Sequence, residues 1–174
     1  MAVSAWDKHS FVRTIAECVK SYPARTQIII CAHAAYESGW GQTRQARQAF
    51  NFFNITAGSL WKGPVMDGGD TEYDAAGNVK RIVQKWRCYG SCEEAVSDYL
   101  QFLQRPRYLP AHAALMDGDV GRFVEWLGPD RAHQNPPIGG YYTLPTAQYM
   151  RGFNAVVAEV TAVIDEGGQK DPRL

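Results

Sequence analysis

The stretch Ala32–Asn54, AHAAYESGWGQTRQARQAFNFFN, decides how this chain reads. It sets one carboxylate, Glu37, at the end of an apolar run and directly before Ser38-Gly39-Trp40-Gly41. Upstream, Ala24 to Glu37 or Ser38 is apolar almost all round, the pattern of a helix buried in the middle of a domain. Gly39 suits the left-handed residue that closes such a helix. A negative charge in the last turn opposes the helix dipole, and apolar neighbours penalise it further. Those are the conditions a general acid needs near neutral pH. Position alone leaves two readings open: a surface glutamate at a fraying helix end, or a catalytic acid. His33, one turn earlier, reads as a packed core histidine.

Working outward, Asp7 to Tyr22 predicts a first helix with Phe11, Ile15, Cys18, Val19 and Tyr22 on one apolar stripe, interrupted by Pro23. Gln42 to Gln48 reads as a short polar helix carrying Arg44 and Arg47. In Phe50-Asn51-Phe52-Phe53-Asn54-Ile55, rings alternate with amides. Rings stack on sugar faces and amides bond hydroxyl or acetamido groups, although a loop tucked under the core has the same composition. From Leu60 the period changes. Short extended pieces at Trp61–Val65 and Asp70–Tyr73, a turn at Ala75–Asn78 and a strand at Val79–Arg87 predict an antiparallel hairpin or three-stranded sheet over about 60–88. Glu72 lies on it, where a lone glutamate ordinarily reads as solvated.

Ser91 and Glu94 form a capping box for a helix whose buried stripe runs from Ala95 to Leu103, ended by Arg105-Pro106. Asp117 or Asp119 caps another through Trp126-Leu127. Residues 130–143 read as an ordered loop containing His133, a last helix spans Thr146–Ile164, and 165–174 form a frayed tail. The expected architecture is a single α+β domain over 1–174, mainly α with a small antiparallel β-lobe.

Composition bounds the function. With 18 basic and 18 acidic residues in 174 and a pI near 6.9, the chain lacks the basic field that nucleic acid or anionic membranes require. No apolar run approaches the ~20 residues of a membrane span, and the N-terminus lacks the pattern of a secretory signal. The expectation is synthesis in the cytoplasm, no membrane insertion and a monomer. Cys18 and Cys31 read as free buried thiols. Cys88 and Cys92 have the spacing of a small disulfide or half a metal site, but no second Cys/His pair completes one, so neither metal nor cofactor is expected. A phosphate-binding glycine loop, His-Glu-x-x-His and a serine elbow are all absent. A cysteine nucleophile from Cys88 or Cys92 with His112 or His133 has no supporting signature. Acidic catalysis of glycoside cleavage remains, with Glu37 as proton donor and Glu72 as candidate stabiliser.

Ala34-x-x-Glu37-Ser38-Gly39-Trp40-Gly41, Asn51-Phe52-Phe53-Asn54-Ile55 and Thr71-Glu72-Tyr73 together resemble the N-acetylglucosaminidase family of peptidoglycan hydrolases, which includes flagellar muramidase-like domains, autolysins and phage lysins. The likeness continues through Trp86-Arg87-x-Tyr89-x-Ser91, Asp98-Tyr99-Leu100-x-Phe102-Leu103, Pro106-Arg107-Tyr108 and Gly140-Tyr141-Tyr142-Thr143. It implies a lysozyme-like fold and cleavage of β-1,4 bonds in peptidoglycan glycan strands after N-acetylglucosamine, at the cell wall. By this resemblance Glu37 matches the general acid, Glu72 the second carboxylate on the β-lobe, and Tyr141 a tyrosine beside the cleft. Trp40, Asn51, Phe53, Asn54, Trp61 and Tyr142 are the expected glycan-groove residues. Asn54 departs from the family, which usually has Gly there, and Cys88 and Cys92 are unusual. A phage or prophage lysin is the expected setting. The alternatives are cleavage after N-acetylmuramic acid, as by a lysozyme or lytic transglycosylase, and a wall-binding module without catalysis.

Overall fold

Helix α2, Ala24–Ser38, runs through the centre of the molecule, and every residue from Ile29 to Ala35 is 0% exposed. The computed structural model describes residues 6–73, 79–128, 141–142 and 144–168. Helix α1, Lys8–Cys18, starts where the Asp7 side chain accepts from Ser10 N–H at 3.0 Å. It stops short of Tyr22 because Val19 leaves helical geometry, ahead of Pro23. Its Phe11, Val12 and Ile15 bury fully and pack the helix on α2.

The short helix α3, Arg44–Ala49, is capped by Thr43, and α4, Cys92–Leu103, by Ser91, whose Oγ accepts from Glu94 N–H at 3.2 Å. Helix α5, Leu109–Met116, is absent from the sequence reading: LPAHAALM is apolar on every side and shows no stripe, and Pro110 in its first turn is its one local signal. Asp119 caps α6, Val120–Leu127, whereas Asp117 ends α5.

Helix α7, Thr146–Gly168, lies along α2. A Cβ on Gly152 would fall 2.5 Å from Tyr36 Oη, so the missing side chain is what lets the two helices approach. The helix persists past Ile164 to Gly168, further than the expected tail allows, and 169–174 lie outside the described residues.

Two strands, β1 (Val65–Tyr73) and β2 (Val79–Arg87), pair antiparallel with Val65 opposite Arg87 and Tyr73 opposite Val79. Among the described residues the lobe is therefore two-stranded, and the turn expected at Ala75–Asn78 lies outside them. Trp61 to Pro64 lead into it as a turn, with Trp61 Nε1 donating to Pro64 O at 2.9 Å. Its base is joined to the helical body by a bridge between Thr56 and Trp86 and by Arg87 N–H donating to Ile55 O at 3.1 Å. Arg87, 3% exposed, forks onto Asp98 of α4 at 2.8 and 2.7 Å, and Tyr89 Oη donates to the same carboxylate at 2.7 Å.

All four cysteines are free, so the spacing of Cys88 and Cys92 does not mark a disulfide. Among the described residues no group of His, Cys, Asp and Glu is placed to hold a metal, and no helix is long and apolar enough to cross a membrane.

Candidate active site

Glu37 ends α2 with its side chain 14% exposed, at the wall of a cavity of about 460 Å³. Tyr36, Asn54, Thr56, Trp86, Tyr141, Tyr142, Leu144 and Tyr149 complete the lining. A carboxylate so nearly enclosed must be hydrogen-bonded to persist there. Tyr149 of α7 supplies the bond, its Oη donating to Glu37 Oε1 at 2.6 Å. Burial first, and then the Glu37 charge, hold the Tyr149 phenol well above its ordinary value, so it keeps the proton it donates. Oε1 thus accepts from Tyr149, while Oε2 lies 3.5 Å from the Asn54 amide.

Behind the carboxylate sits His33, 0% exposed, with Nδ1 2.7 Å from Tyr99 Oη and Nε2 3.6 Å from Glu37 Oε1. Nε2 makes no hydrogen bond, and the Tyr99 phenol is likewise raised, chiefly by burial. Assigned from this network, Tyr99 donates to Nδ1 and the imidazole proton lies on Nε2, facing Glu37. Rings of Phe53, Tyr99, Phe123, Tyr141 and Phe153 surround the imidazole. His33 is the core histidine that its position in an apolar helix suggests, and it also backs the acid.

The loop after α2 is shaped by local backbone rules. Gly39, Trp40 and Gly41 have φ of 56°, 60° and 77°, three left-handed residues in succession. Ser38 Oγ donates to Ala34 O at 2.6 Å and accepts from Gly41 N–H at 2.8 Å, closing the loop on the helix. A Cβ on Gly41 would lie 2.7 Å from Trp6 Cδ1, so only glycine fits. Asn54, where glycine would be usual, also takes a positive φ of 50°, and asparagine tolerates that conformation best after glycine. Its Nδ2 donates to Glu37 O at 2.7 Å and lies 3.5 Å from Oε2, so the substitution adds a contact to the acid.

The expected groove residues divide. Tyr141 and Tyr142 both line the cavity. Tyr141 Oη donates to Phe53 O, and Tyr142 stacks on Tyr149 at 3.7 Å with its Oη on Val124 O at 3.0 Å. Asn54 joins them.

Two residues expected to touch the glycan are enclosed instead. Asn51 is 0% exposed and spends its amide on Ile55 and Arg87 carbonyls at 2.9 and 3.0 Å. Phe53, also 0% exposed, stacks on Tyr99 at 3.8 Å. The alternation of rings and amides therefore built a packed loop that supports the groove from behind. Trp40 lies beneath Lys8, and Trp61 packs on Arg87 and Tyr89; neither lines the Glu37 cavity. Glu72 is placed in backbone only, opposite Lys80 in the hairpin register, and its side chain lies outside the described residues, as does His133.

Tyr149 is the cavity residue bonded to Glu37 that sequence reasoning missed. It stands four positions before Phe153 on the buried face of α7, so the helical stripe could have found it as a core residue, though not as a partner of Glu37.

A second cavity of about 330 Å³ shares Asn54, Thr56 and Tyr141 with the first and adds Phe102, Arg105, Arg107 and Tyr108. The two cavities adjoin at those three residues, with Glu37 lining the first and the arginines the second.

Comparisons with known proteins give the family and the fold. Residues 13–152 match the glucosaminidase family, described as mannosyl-glycoprotein endo-beta-N-acetylglucosaminidase. The chain is 45% identical over 143 residues to peptidoglycan hydrolase FlgJ of Escherichia coli K12, covering 79% of this chain and 41% of that protein. It thus spans less than half the length of that relative. A C-terminally truncated glycoside hydrolase domain of Salmonella typhimurium FlgJ superposes with TM-score 0.59 at 27% identity, over 90% of this chain and 99% of that one. A peptidoglycan hydrolase mutant from Sphingomonas sp. A1 superposes with TM-score 0.67 at 28% identity, over 91% and 99% of the two chains. The helical body with its small antiparallel sheet is the lysozyme-like fold of these domains.

Proposed function

This chain belongs to the glucosaminidase family of glycoside hydrolases, and from that premise we propose that it cleaves the glycan of bacterial peptidoglycan internally, at β-1,4 bonds following N-acetylglucosamine. The observation that carries the reading is the Glu37 carboxyl, nearly enclosed, held by Tyr149 and facing a cavity of about 460 Å³.

In the proposed reaction Glu37 Oε2 gives its proton to the glycosidic oxygen as the bond breaks, while Oε1 keeps the Tyr149 hydrogen bond. Positive charge then develops at the sugar carbon. It is met by a second carboxylate, by water that this carboxylate activates, or by the substrate's own acetamido oxygen. Glu72, on the hairpin, is the proposed second carboxylate, and Tyr141 the proposed neighbour of the scissile sugar. Arg105 and Arg107 suit the carboxylates carried by muramic acid and its stem peptides. The ion pairs this end of the groove would make are salt-sensitive, so raising ionic strength weakens binding of wall fragments more than of neutral chitin oligosaccharides.

Solubilisation of dye-labelled cell wall by wild type and Glu37→Gln protein tests the reading. Release by the wild type alone supports it. Equal release by both proteins overturns Glu37 as the acid, and retention on the wall with no release by either leaves a binding module. The finer reading, a bacteriolytic phage or prophage lysin, predicts that the protein clears a suspension of permeabilised bacteria. Solubilisation of isolated wall without clearance removes the lysin and keeps the hydrolase.

A further inference from the structure

Cys18 and Cys92 lie 74 residues apart in sequence, at the end of α1 and the start of α4, and their Sγ atoms are 2.9 Å apart. That is about 0.9 Å beyond the ~2.05 Å of a disulfide bond, so a small rotation of either side chain closes the gap. Both sulfurs converge on one acceptor, Thr14 O, at 3.3 Å from Cys18 and 3.9 Å from Cys92. The remaining two thiols are elsewhere: Cys31 points to Val12 O and Cys88 to Trp86 O.

Access is one-sided. Cys92 is 6% exposed, whereas Cys18 is half-buried and lines a surface cavity of about 350 Å³ with Ser21, Tyr22 and Glu93. We infer that Cys18 and Cys92 form an intramolecular disulfide that staples α1 to α4 when the protein meets a disulfide oxidant, as in the compartment where a wall hydrolase works. The geometry stands without the proposed activity; only the place of oxidation rests on that reading.

The exchange balances with any small or protein disulfide as oxidant. The Cys18 thiolate attacks one sulfur of the oxidant, forming a mixed disulfide and expelling the first thiolate. Cys92, deprotonated, attacks Cys18 Sγ, forming the Cys18–Cys92 bond and expelling the second. Two protein thiols are oxidised, one oxidant disulfide is reduced to two thiols, and the two protons pass to the leaving thiolates. Burial, the largest influence on each, raises both protein thiols above their ordinary value, so the reaction quickens as pH rises.

Joining sites 74 residues apart restricts the unfolded chain strongly, and a melting-temperature rise of roughly 5–15 °C is expected.

The experiment treats the full chain with oxidised glutathione at alkaline pH, blocks residual thiols, and maps a non-reducing digest by mass spectrometry. The expected result is a Cys18–Cys92 linked peptide, two hydrogens lighter than its parts, with Cys31 and Cys88 blocked. A melting-temperature rise reversed by dithiothreitol accompanies it and is absent from Cys18→Ser and Cys92→Ser. Full blocking of both Cys18 and Cys92, or linkage of either to Cys88 or Cys31, overturns the inference. So does a dithiothreitol-sensitive rise that survives in Cys18→Ser. Peptide mapping uses the wild type, so the decision does not depend on the variants folding, and wall hydrolysis is a separate readout from either result.

Discussion

The two walls of the groove are built by different physics. Glu37 stands on α2, where seven consecutive residues are wholly buried and a lattice of rings from α4, α6 and α7 encloses the imidazole behind it. The hairpin, whose Trp86 reaches the cavity, is a two-stranded ribbon with Val83 78% exposed and Val65 45% exposed, anchored at its base by Trp86 and Arg87. A ribbon of two strands is marginal by itself, so its stability is borrowed from that base. Glu37, the proposed general acid, is thereby held to a fixed position by the core, while the hairpin is held only as well as its base allows.

The largest expected effect breaks the first wall. Glu37→Gln should lower wall hydrolysis by about 10²–10⁴-fold, the usual range for a general acid, with the melting temperature little changed.

Next, Arg87→Ala removes one partner of a part-buried ion pair and leaves the Asp98 carboxylate without its guanidinium. Denaturant unfolding should show a loss of about 1.5–3 kcal/mol. Because this pair also seats the hairpin, limited proteolysis should cut that variant within 65–87 before it cuts the helices.

A third substitution sharpens the role of the core in catalysis. Tyr149→Phe keeps the ring stacked on Tyr142 but removes the Glu37 hydrogen bond. kcat should fall by roughly tenfold, with KM nearly unchanged, for a lost charge-assisted bond of about 1.5 kcal/mol. A fall in KM-dependent binding alone would assign Tyr149 to the groove wall instead.

The smallest effects mark what neither wall needs. Val83→Lys, at an exposed strand position, should change stability by less than about 0.5 kcal/mol. His112, half-buried on α5, has its ionisation pushed below 6.5 by burial. The unfolded chain therefore binds that proton first, and stability declines as pH falls through 6.5 towards the lower folded value. His112→Gln should flatten that part of the pH–stability curve slightly.

The helical wall was legible in the sequence and the opposite wall much less so, for a physical reason. Apolar residues all round Ala24–Ser38, the left-handed Gly39 and the Ser91 cap are local signals, and each sits where it was read. The hairpin's existence was readable from the change in period, but the number of strands depended on how Trp61 packs against Arg87, a contact across 26 residues. Helix α5 lacked any stripe to read.

At the candidate site, Glu37 stands out in the sequence because its charge contradicts its surroundings, and the structure sets it at the wall of a cavity. Tyr149 does not stand out, because a tyrosine on a core stripe carries no local mark of the carboxylate it meets 112 residues away. Asn51 and Phe53 show the opposite error, in which a composition suited to sugars proved to be the packing that supports the groove.

In the proposed reaction, cleavage assisted by Glu37 leaves N-acetylglucosamine at the new reducing ends. Digestion of purified peptidoglycan, followed by borohydride reduction and mass spectrometry of the new ends, tests it most directly. The account predicts reduced N-acetylglucosamine at those ends with the wild type and none above background with Glu37→Gln. Reduced muramic acid or anhydro-muramic ends from the wild type would contradict it.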